Sequence, residues 1–105
     1  MSVAISPSVP EEVIIALGYQ NTDDFLRVQA RRALAEKISY YQSRIDFYEQ
    51  KYGMSLNEFH GRVSSQEDSV LSKFSVAEKE TDDFDWDDAL DFVRMYTDNL
   101  RQIRP

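Results

Sequence analysis

The sequence predicts an all-α protein, mainly two long helices packed side by side. Two apolar series carry that reading. Leu34, Ile38, Tyr41, Ile45, Tyr48 and Tyr52 recur at 4-3-4-3-4 spacing, and Trp86, Ala89, Val93, Tyr96, Leu100 and Ile103 at 3-4-3-4-3. Heptad spacing of this kind keeps apolar side chains on one face of a helix. The second observation is continuity: neither glycine nor proline interrupts the chain between Gly18 and Gly53. The third is a set of helix-start signals ahead of the apolar runs.

Taken in order, Val3-Ala4-Ile5-Ser6 alternates apolar and small residues and reads as a brief strand. A lone strand is not stable, so it would pair with another chain. A short helix over about 9–17 follows. Ser8 and Glu11 have capping-box spacing, Pro10 is tolerated in a first turn, and Gly18 fits the position just past the end. Asn21-Thr22-Asp23-Asp24 then opens a long helix over about 22–52, with acids where the helix dipole favours them. Phe25, Leu26, Ala30 and Ala33 extend its apolar face toward the N-terminus, and Tyr40 and Phe47 widen it. At 1.5 Å per residue this helix is about 46 Å long. A compact domain of this size is roughly 33 Å across. The helix therefore protrudes or packs on a second molecule, and the expectation is a homodimer with Leu34, Ile38, Tyr41, Ile45, Tyr48 and Tyr52 at its interface.

Gly53 ends the long helix. Ser55-Leu56-Asn57-Glu58 repeats the capping-box spacing and opens a helix over about 55–63, with Leu56, Phe59 and Val63 on one side and Gly61 weakening it. Ser64–Lys79 reads either as a helix or as a loop pinned by Val70, Leu71, Phe74 and Val76. The stretch 64–84 is an acidic, serine-containing connection within a single domain, and Asp82–Asp85 reads as its last loop. Asp85 is the expected N-cap of a C-terminal helix over about 85–102, with Asp87 and Asp88 in the first turn and Arg101 and Arg104 at the end.

Composition excludes several functions. A pI near 4.6 disfavours nucleic acid or an anionic membrane as the main ligand, since both call for a basic face. No cysteine is present, which removes disulfides, thiol catalysis and the usual structural zinc sites, and fits a cytoplasmic protein. The first twelve residues have neither the basic nor the apolar region of a signal peptide, and the longest apolar run, Val13–Leu17, is far too short to span a membrane. His60 is the single histidine and reads as a polar residue on a short helix. Asp83-Phe84-Asp85-Trp86-Asp87 imitates the start of a calcium loop, but Asp88 stands where glycine is needed and Arg94 where glutamate is needed. No phosphate-cradling glycine loop exists. The expectation is a protein that is not an enzyme and uses no cofactor or metal.

What remains is charge. Glu78–Asp91 holds eight acids together with Phe84 and the only tryptophan, Trp86. Across Gln66–Asp91 the net charge is −8, while the whole chain is −7, so the negative charge is local. One reading is a solvated loop and helix start. The other is a recognition segment: acids around exposed aromatics suit a basic protein partner. Asp82, Asp83, Phe84, Trp86, Asp87, Asp88 and Asp91 are the candidate partner-binding residues. Arg27, Arg31 and Arg32 form a small basic cluster that reads as a solvated face or as a phosphate-contacting patch.

Two sets of residues resemble a known family. Pro10-Glu11-Glu12-Val13, Ala16-Leu17-Gly18-Tyr19, Asp24-Phe25-Leu26-Arg27 and Ala30-Arg31-Arg32-Ala33-Leu34 are similar to small prokaryotic antitoxins. Phe47–Phe59, followed by an acidic segment containing tryptophan, resembles a group of short acidic helical members encoded beside toxin-like genes. That resemblance implies a non-enzymatic protein that neutralises a basic toxin, and no catalytic residues. The N-terminal third also resembles a ribbon-helix-helix repressor in its strand, helix, longer helix order. Its strand, however, lacks the arginine or lysine that reads DNA, and its first helix is short. The alternatives are a structural or adaptor homodimer and a DNA-binding autorepressor.

Overall fold

The computed structural model describes residues 8–65 and 68–105. Within them the chain forms helices α1 (Glu11–Ala16), α2 (Thr22–Tyr52), α3 (Leu56–Arg62) and α4 (Val76–Gln102), with a 3₁₀ turn at Leu71–Lys73. No strand occurs among the described residues, and the expected strand Val3–Ser6 lies outside them. The all-α class and the long helix at 22–52 are as the sequence predicts.

Local chemistry explains the boundaries. Asn21 caps α2 by accepting from the Asp24 N–H at 2.8 Å. Gly53 ends it in the left-handed region at φ 69°. A Cβ there would meet nothing within 4 Å. Gly53→Ala is therefore expected to cost only the backbone penalty, about 1–2 kcal/mol, with helix content unchanged; thermal unfolding followed by circular dichroism measures both. Ser55 caps α3 through the Glu58 N–H. Gly18 and Tyr19 donate to the Ile15 and Ile14 carbonyls, the paired bonds of a Schellman ending for α1.

Two starts differ from expectation. Pro10, not Ser8, is the N-cap of α1, and no side chain caps it. Proline sits between Ser8 and Glu11, and the chain there is already extended. The larger difference is α4, which begins at Val76 and not near Asp85. Ser75 is its cap, accepting from the Glu78 N–H at 3.1 Å. Asp82–Asp85 is helix, not loop, and the connection shortens to the turns before Ser75. Inside that connection Asp68 accepts from Arg62 and from the backbone N–H groups of Val70 and Leu71. The Arg62 guanidinium, followed by these amides, holds the Asp68 carboxyl well below the usual carboxylate range.

Helix α4 runs antiparallel to α2. Lys51 meets Asp82, Arg44 meets Asp85, Tyr41 stacks on Phe92, and Arg31 reaches the Ile103 and Arg104 carbonyls. The result is a helical hairpin of 68 × 33 × 19 Å. Its core lies at one end, where α3 and the 3₁₀ turn tuck against the hairpin. Ile45, Tyr48, Tyr52, Met54, Leu56, Phe59, Leu71, Trp86 and Ala89 are buried there together. At the other end Ile14 of α1 is buried, and Tyr19 meets Phe25 edge to face.

Both heptad seams are consumed within one chain. Ile45, Tyr48 and Tyr52 are buried against α4, and Leu34, Ile38 and Tyr41 are half-buried. Tyr41, Ile45, Tyr48 and Tyr52, expected at a dimer interface, instead belong to the hairpin's own core packing. A second difference concerns Leu26, Ala33, Tyr40 and Phe47. They do not widen the seam but stand exposed on a separate stripe of α2.

Candidate functional site

The acidic segment is a helix, so its residues sort by face. Glu78, Asp82 and Asp85, at i, i+4 and i+7, turn toward α2. There Lys51 meets Glu78 at 2.7 Å and Asp82 at 2.6 Å, and Arg44 meets Asp85 at 2.6 Å. The Tyr52 hydroxyl donates to Asp82 at 2.6 Å, and the Tyr48 hydroxyl to Asp85. Asp82 and Asp85 are thus clamps of the hairpin. Hydrogen bonds from Tyr48 and then Arg44 lower the Asp85 pKa. Burial, with Asp85 beside it, pushes the Tyr48 hydroxyl up to about 12, and burial beside Asp82 raises Tyr52 further. Hydrogen bonds to Asp82 and Glu78 raise Lys51, and one to Asp85 raises Arg44.

Trp86 is also inward. It is 0% exposed and lies against Tyr48, Tyr52 and Phe59, with ring centroids 5.5–5.9 Å away. Trp86 is a core residue, so it does not belong to a surface that a partner touches. Its indole N–H is buried without an acceptor among the described residues.

The outer face keeps the rest. Phe84 is 75% exposed. One turn away on either side stand Glu80, Asp87 and Asp88, and Asp91 follows at i+7, all exposed. Among the described residues no cation pairs with Glu80, Asp87 or Asp88, while Asp91 meets Arg94 at 3.7 Å. Asp83 lies at the edge, its carboxylate 2.6 Å from His60 Nε2. Of the sequence candidates, the structure therefore groups Phe84, Asp87, Asp88 and Asp91, leaves Asp83 on the rim, and withdraws Asp82 and Trp86. Glu80 joins the group; its i−4 spacing from Phe84 is a signal only where the helix begins ahead of it, at Val76.

The basic cluster is dispersed. Arg27 donates to the Pro105 oxygen at 2.9 Å, and Arg31 to the Arg104 carbonyl at 2.6 Å. Two α2 arginines thus tie down the residues that follow α4. Arg32 alone faces solvent. Among the described residues no cluster of His, Asp and Glu has the arrangement of a metal site, and no helix is long and apolar enough to cross a membrane. Comparison with protein-family models, with curated proteins and with solved structures returned no match.

Proposed function

We propose that this chain is a non-enzymatic, antitoxin-like protein that neutralises a basic toxin by covering it with the outer face of α4. The observation that supports this reading is Phe84, three-quarters exposed beside Glu80, Asp87 and Asp88, which pair with no cation among the described residues. An exposed phenyl ring forgoes roughly 1.5–3 kcal/mol of burial. The acids beside it are free to pair, since the chain's own Arg44 and Lys51 are engaged by Asp85, Asp82 and Glu78. On a partner, Phe84 would fill an apolar pocket while Glu80, Asp87, Asp88 and Asp91 meet a basic rim. Mechanically this is occlusion: the ring supplies affinity and the charges supply orientation and association rate.

The test uses co-expression with the basic product of a neighbouring toxin-like gene, scored by growth and by calorimetric affinity. Phe84→Ala combined with Asp87→Lys and Asp88→Lys is expected to abolish rescue and weaken binding by about 100-fold or more, roughly 3 kcal/mol. The three side chains are exposed, so thermal stability is expected to stay within about 1 kcal/mol of the unaltered chain. Rescue equal to that of the unaltered chain sinks the proposal and favours an adaptor whose acidic face is only solvated surface.

A further inference from the structure

We draw no further inference here: the strongest candidate, the exposed apolar side chains Val13, Ile15 and Leu17 of α1 at the end of the hairpin away from the main core, carries none, because nothing in the structure shows what covers them.

Discussion

Trp86→Ala is expected to destabilise the fold by about 3–5 kcal/mol and, at about 4–8 °C per kcal/mol, to lower Tm by roughly 12–40 °C. Trp86 is fully buried at the point where α2, α3 and α4 meet, and three aromatic rings close on it. Removing it leaves a cavity that none of those rings can fill without unstacking from the others. The same experiment separates a core role from a recognition role, for a tryptophan serving as a surface anchor would leave Tm unmoved. Trp86→Phe gives a second readout. It keeps a ring and removes the buried N–H that has no acceptor, so it is expected to cost less than half as much as alanine. Emission from this single tryptophan should be blue-shifted and shielded from acrylamide in the native protein; quenching as free as in the unfolded chain would refute its placement.

Alkali is expected to unfold the hairpin from about pH 10 upward, with on the order of 2–3 kcal/mol lost by pH 12 through Tyr48 alone. The sign follows from the direction of the shift. The Tyr48 hydroxyl titrates near 10 in the unfolded chain and at about 12 in the folded one, so the folded state holds its proton more tightly. That preference contributes fully below pH 10 and disappears as pH rises through 12. Tyr52, raised further for the same reason, adds in the same direction. Absorbance titration of the six tyrosines should show two that ionise only as the helix signal is lost. Six equivalent tyrosines titrating near pH 10 with the helices intact would refute the buried hydroxyl–carboxylate pairs.

Much of this architecture is legible in residue spacing. The 4-3 series of α2 and α4, the Asn21 and Ser55 caps and the glycines at 18 and 53 mark elements the structure contains, because these signals act within one turn of helix. The start of α4 was also legible. Ser75-Val76-Ala77-Glu78 has the same spacing as Ser55–Glu58, and it is outweighed only if a run of acids is taken to mean a loop. Part of the clamp follows from the heptads as well; Asp82 does not, since it falls at d, an apolar position. With the two apolar series at the a and d positions, Arg44 and Lys51 fall at g of one helix, and Asp85 and Glu78 at g of the other. Antiparallel helices bring such flanking charges together.

The sequence by itself determined the helices, their apolar faces and the concentration of negative charge, since periodicity and capping are local properties. Only the tertiary structure decided which aromatics are core and which are surface. Trp86 and Phe84 stand two residues apart in one acidic run, yet one is sealed among three rings and the other lies open to water. Two residues of helix turn a side chain through about 200°, just past a half circle, and which half meets protein depends on where α2 lies. The same holds for the two stripes of α2: both repeat every seven residues, and the position of α4 alone decides that the Tyr41–Tyr52 stripe closes the hairpin and the Tyr40–Phe47 stripe stays exposed.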